Sequence, residues 1–164
     1  MDRRAYLEAK FGTVDAYEQL QEQVSAAGSA DGVSFAFERI TRTPNTFLAH
    51  RVIWYAGRQG CQDAVVNQLF QGYFEEGLDI GTPSVLVELA NRAGLHADQF
   101  LMSSDGTAEV KAEEGVGRRL GIRGVPYFVI EKAHGISGAQ PTEVLAAAIE
   151  KVRMQESGAS IAKR

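Results

Sequence analysis

The sequence predicts an α/β fold of unequal parts, a long helical block followed by a short strand, turn, strand and helix. Two features carry this reading. Through residues 13–120 apolar residues recur at helical spacing, punctuated by Thr-Pro pairs and glycines. Then Gly124-Val125-Pro126-Tyr127-Phe128-Val129-Ile130 runs apolar without a break, rich in β-branched and aromatic residues, as a strand covered on both faces does.

The elements follow in order. Val14, Tyr17, Leu20 and Val24 mark a first amphipathic helix over residues 13–27, with Gly28 as its terminator. Residues 33–40, VSFAFERI, alternate well enough for a short strand, though an extended loop reads the same. Thr43-Pro44 offers a cap followed by proline at the first helical position, and Phe47, Leu48, Val52, Ile53 and Tyr55 carry that helix to about Gly57. Over residues 62–76 a continuous stripe of Val66, Leu69, Phe70, Tyr73 and Phe74 marks the clearest helix. Thr82-Pro83 opens another, with Val85, Leu86, Leu89, Ala90 and Ala93 on one side and Gly94 at its end. Short turns over residues 98–102 lead to a helix over 105–120, closed by Gly121. A strand around Ile136 is expected to pair with the apolar run. Gln140-Pro141 then starts a last helix whose buried face is Val144, Leu145, Ala148, Ile149 and Val152. We expect a single domain over residues 1–154 and a frayed tail over 155–164.

Composition narrows the function. Seventeen Lys and Arg against twenty-one Asp and Glu, scattered in sign, give a net charge of -4 and no broad basic face for nucleic acid. No apolar run approaches the roughly 20 residues that span a bilayer, and MDRRAYLEAKFG lacks the apolar stretch of an export signal, so no membrane partner and a cytoplasmic location are expected. The single cysteine, Cys61, leaves no internal disulfide, CxxC pair or multi-cysteine zinc site. His96 and His134 have no ligand spacing, so neither a metal nor a cofactor is expected. Glu75, Glu76, Asp79, Glu113 and Glu114 read as solvated helix faces, and no acid and base pair stands out.

Four segments carry a family likeness in order and spacing: RTPNTFLAHRVIWYA from Arg42, FEEGLDIG from Phe74, GIRGVPYFVI from Gly121 and ISGAQP from Ile136. Together they resemble the FrnE-type branch of the DsbA-like thioredoxin superfamily. The resemblance implies a thioredoxin fold with a large helical insertion, here residues 13–120, and the ββα half of that fold at residues 122–153. It also implies thiol-disulfide exchange on protein or peptide substrates. The family's CxxC, placed at the start of the first thioredoxin helix where a thiolate is favoured, has no counterpart here. The chain is therefore strand-poor, with the βαβ unit absent, and is expected to be inactive alone, because a nucleophile without a resolving thiol cannot complete the cycle. A segment outside the sequence, or a second copy in a homodimer, is expected to fill the open side of the apolar strand.

The same resemblance marks Gly124, Val125 and Pro126 as the cis-proline loop that faces the active-site cysteine and pairs with substrate backbone. By local sequence alone Pro126 could equally sit at a strand start that needs no donor. His50 and Trp54, four residues apart on one helix, form a candidate pocket, against the plainer reading of packing. Cys61 sits near a helix start, where a thiolate gains from free N–H groups, yet a lone thiol is usually inert packing. Two other functions remain in view. One is a catalytically silent peptide- or protein-binding module. The other is a glutathione-dependent relative of the kappa-class transferases or hydroxychromene-carboxylate isomerases. Where kappa-type enzymes hold the γ-glutamyl group with a Ser-Asp pair before the final helix, this chain has Ala139 and Gln140.

Overall fold

The computed structural model describes residues 1–131 and 134–161, with the side chains of Val14 and residues 155–161 outside that description. It begins with a helix absent from the sequence reading, α1 (Arg3–Phe11). Asp2 caps it, its carboxylate accepting from the Ala5 N–H at 2.9 Å, and Arg4 pairs with Glu8 one turn on. No residue of α1 is buried, so apolar periodicity could not reveal it. Helix α2 (Val14–Ala30) starts where the reading put it, on a Thr13 cap that the reading did not name, and runs three residues past Ala27. Gly28 lies within it rather than ending it. A Cβ there would come within 2.5 Å of the Phe35 ring, so this glycine permits close approach, and the left-handed residue is Gly32, at φ 77°.

Residues 33–40 are not a strand. They form an extended turn closed by one 3₁₀ segment (Phe37–Arg39), because their aromatic residues find partners elsewhere. Phe35 stacks on Phe37 at 5.1 Å, both meet the edge of Phe74, and the Ala36 N–H donates to the Phe74 carbonyl. Helix α3 (Phe47–Gln59) likewise begins three residues later than the Thr43-Pro44 signal suggests. Asn45 turns the chain first, its side-chain oxygen accepting from the Phe47 N–H, so the first helical bond runs from His50 to the Thr46 carbonyl. Helix α4 (Gln62–Phe74) and helix α5 (Pro83–Arg92), with proline in its first turn, match the reading. Helix α6 (Asp98–Met102) and helix α7 (Thr107–Arg119) follow.

The core of this block joins α3, α4 and α5 through Val52, Ala56, Val65, Leu69, Leu86 and Leu89. Helices α4 and α5 approach closely at Gly72, where a Cβ would stand 2.8 Å from Leu89. The buried face of α4 is Val65, Leu69 and Gly72, not the whole stripe read from the sequence, and Phe70 is 59% exposed. Among the described residues one charged side chain enters the interior. Arg51 is 4% exposed and donates to the backbone carbonyls of Asp105, Ser103 and Phe100, with its guanidinium over the Phe100 ring. It ties α3 to the carbonyls at and beyond the end of α6, of which that of Phe100 also accepts from the Ser103 N–H and hydroxyl.

The chain divides into two compact units, Met1–Lys111 and Ala112–Arg164, with the division inside α7. The second unit holds strand β1 (Tyr127–Ile130), strand β2 (His134–Ser137) and helix α8 (Thr142–Ile161). The strands pair antiparallel from Tyr127 opposite Ser137 to Ile130 opposite His134. Gly138 extends the ladder by donating to the Pro126 carbonyl, so the alternation turns the N–H and C=O of Tyr127 and Val129 away from β2. Among the described residues β1 has no other strand neighbour. The expectation of a strand covered on both faces fails here: Phe128 and Val129 are both exposed. So does the expected buried face of α8, in which only Val152 is buried while Val144 and Ile149 face outward. Two strands and one helix offer too little apolar surface to cover one another. Helix α8 also continues through Ile161, beyond the point where fraying was expected, and residues 162–164 lie outside the described residues.

Candidate functional site

The loop before β1 is open to its surroundings. The Val125–Pro126 peptide bond is cis, and Val125 is 89% exposed. The Pro126 carbonyl is tied to β2, whereas the N–H and C=O of Val125 bond to no described residue. Gly124 has no atom within 4 Å of where a side chain would begin. An extended segment laid beside this loop would therefore meet free backbone donors and acceptors and no side-chain obstruction.

His50 and Trp54 share one helix but open into different cavities. His50 lines a cleft of about 260 Å³ between α3 and α4, with Pro44, Ile53, Val66, Phe70, Tyr73 and Ile80 among its walls. Nearly every wall is apolar, no carboxylate lines it, and its ionisable groups are His50 and Tyr73. The Tyr73 phenol accepts from the Arg3 guanidinium at 3.1 Å, and partial burial pushes its pKa up, an effect that the neighbouring Arg3 opposes. The sequence stripe on α4 was legible, but its role was misread: Val66, Phe70, Tyr73 and Phe74 line this cleft instead of filling the core.

Trp54 instead borders a cavity of about 420 Å³ with Tyr55, Phe100, Asp105 and Glu109. Its ring stacks on Phe100 at 6.3 Å, lies under the Arg58 guanidinium and leaves room only for glycine at Gly106. That is packing around the Arg51 anchor, which no sequence signal announced.

The remaining sequence candidates have modest surroundings. Cys61 occupies the N-cap of α4, half-buried, with its sulfur 3.8 Å from the Ala56 carbonyl. His96 contacts the Asn91 side chain at 3.0 Å, and His134 lies in β2 opposite Ile130. Among the described residues no His, Cys, Asp and Glu cluster could hold a metal ion. Glu76 and Asp79 are engaged by Arg92 and Arg42, and Glu114 by Arg118. Gln140 donates to the Ser137 carbonyl, so the place before α8 holds neither hydroxyl nor carboxylate. No described helix is long and apolar enough to cross a membrane.

Comparison with known proteins agrees with this architecture. The model of the DSBA-like thioredoxin domain matches residues 9–150. The crystal structure of a probable DsbA oxidoreductase from Streptomyces coelicolor superposes with a TM-score of 0.78 at 31% identity, over 92% of this chain and 67% of that one. No curated protein matches the chain. A helical block followed by a ββα segment, matched along nearly its whole length, makes this chain a member of the DsbA-like thioredoxin family.

Proposed function

We propose that this chain serves thiol-disulfide exchange as the substrate-recognising part of an FrnE-type oxidoreductase in the cytoplasm, with the redox dithiol supplied by a segment outside these residues. The single observation that carries the reading is the open hairpin. Among the described residues strand β1 has an unpaired edge and exposed Phe128 and Val129, directly after a loop whose Val125 backbone bonds to none of them. Such an edge in a water-soluble fold calls for a neighbouring strand. Membership of a family of oxidoreductases supplies the chemistry, and one cysteine in 164 residues supplies the reason that this chain does not perform it alone.

In the assembled protein a thiolate of the dithiol attacks one sulfur of a substrate disulfide. A mixed disulfide forms and the other substrate sulfur leaves as a thiolate. The second thiol of the dithiol, after losing its proton, displaces the substrate. The dithiol ends as a disulfide and the substrate has gained two electrons and two protons. The Gly124-Val125-Pro126 loop would hold the substrate backbone in an extended form while this happens.

The test is turnover of a peptide disulfide, with a thiol reductant present to restore the dithiol, by the chain alone and by the chain supplied with a βαβ polypeptide carrying a CxxC. Turnover only in the second case is expected. Turnover by the chain alone, abolished by Cys61→Ser, would refute the reading. Stable peptide binding with no turnover in either case would favour the silent binding module instead.

A further inference from the structure

We propose that the cleft between α2 and α4 docks a partner protein through a basic, apolar segment, whose apolar side chains enter the cleft while Lys or Arg meets its rim. No thiol takes part, so this surface stands or falls apart from the reading above. The cleft has a volume of about 870 Å³, within the roughly 300–1,000 Å³ usual for ligand sites. Val24 of α2 and Val33 form one wall, and Phe35, Phe70 and Phe74 carry the apolar surface across to α4. Val24 and Val33 are each 39% exposed and Phe70 is 59% exposed, so three large apolar side chains left open by folding share one hollow. Apolar surface gathered in this way marks an interaction site, as single scattered residues do not.

Charge selects the occupant. Both signs scatter along the chain as a whole, but they segregate here. Residues 12–38, which supply α2 and the turn after it, hold five carboxylates and no Lys or Arg. Residues 62–91, which supply α4 and most of α5, hold five more and again no Lys or Arg. Arg92 is the cation in the cleft wall, and Glu76 and Glu88 each hold it at 2.7 Å. Arg39, which donates to the Glu75 carbonyl, pairs with Glu38 at 3.8 Å. The Glu75 carboxylate, also in the wall, bonds to no described residue. Four carboxylates therefore stand against two guanidiniums, a field that draws a cationic segment and repels an anionic one. The α4 side of the cleft adds the amides of Asn67, Gln68 and Gln71. Gln68 donates to Gln71, while Asn67 bonds to no described residue. Primary amides both donate and accept, which suits peptide groups and offers a hydrocarbon chain nothing. An apolar centre with a polar, charged rim is how protein partners meet.

The test measures binding of fluorescein-labelled peptides to the full chain by fluorescence anisotropy. The probes are KLFKLFK, its acidic counterpart ELFELFE, and KSGKSGK, which keeps the charge and lacks the apolar side chains. KLFKLFK is expected to bind about tenfold or more tightly than either, and less tightly as salt is added. Val24→Ser, in the wall of this cleft and not that of His50, and Glu75→Lys are each expected to weaken binding about tenfold. Both residues are exposed, so an unchanged circular dichroism spectrum is expected from both variants. Equal binding of KLFKLFK and ELFELFE overturns the choice of a basic partner, and equal binding of KLFKLFK and KSGKSGK overturns the apolar one. Binding indifferent to both substitutions places the peptide elsewhere, and absence of binding overturns the surface altogether. Self-association in sedimentation that Val24→Ser abolishes names a second copy as the occupant, against the partner proposed. Disulfide turnover is not read in any of these measurements, so each outcome leaves the proposed function untouched.

Discussion

Leu86 and Leu89 of α5 are fully buried, whereas Val129 of β1 and Ile149 of α8, apolar residues in equally regular patterns, remain 41% and 55% exposed. The helical block closes because α3, α4 and α5 each meet the apolar face of another, and Arg51 ties the following loop to them. The hairpin and α8 have no comparable partners within their own unit. A hydrophobic pattern states which face seeks burial; whether burial is achieved depends on what stands opposite. Exposed apolar patches left over after folding are the usual mark of an interaction surface.

The difference can be broken or sharpened by substitution. Leu89→Ala is expected to destabilise the chain by about 3 kcal/mol in urea unfolding, and Ile149→Ala by less than about 1 kcal/mol. Equal losses would mean that the two regions are packed alike. Arg51→Met keeps much of the stem's packing and removes bonds to the Phe100, Ser103 and Asp105 carbonyls, for which a loss of about 2 kcal/mol is expected by the same measurement.

Gly77→Ala is expected to cost about 1 to 2 kcal/mol, because Gly77 stands at φ 75° and a Cβ would meet the Arg39 backbone at 2.5 Å. Gly124→Ala, with open space around it, has no such steric conflict and is expected to leave the unfolding midpoint nearly unchanged. The smallest effect concerns Tyr73. Its phenol holds its proton more firmly folded than unfolded, so this contribution is complete below about pH 10 and declines as pH rises further. A shift of the unfolding midpoint between pH 9 and 11, reduced in Tyr73→Phe, would show it.

Much of this was legible before any coordinates. Thr82-Pro83 and Gly94 bracket α5, and the run after Gly124 contains β1, because those signals act through local backbone geometry. Local signals also misled. Pro44 marked a helix start that Asn45 postponed by bonding the Phe47 N–H, and Gly28 looked like a terminator because its need for space lies seven residues away in Phe35. Of the residues named as candidates, Val125 lies exposed and His50 lines a cleft, while Trp54, paired with His50 in the sequence reading, borders a different cavity. Four-residue spacing places two side chains on one helix flank without saying which neighbours divide that flank. The Arg51 anchor was hidden for a different reason, since its acceptors are backbone carbonyls about fifty residues away, which leave no trace in side-chain pattern.

Amide hydrogen exchange on the isolated chain addresses the open hairpin most directly. The N–H groups of Tyr127 and Val129, turned away from β2, are expected to exchange orders of magnitude faster than those of Leu86 and Leu89, and to slow when a CxxC-bearing βαβ polypeptide is added. Protection of Tyr127 and Val129 equal to that of α5 in the chain alone, or exchange unaltered by the added segment while it is bound, would contradict the account.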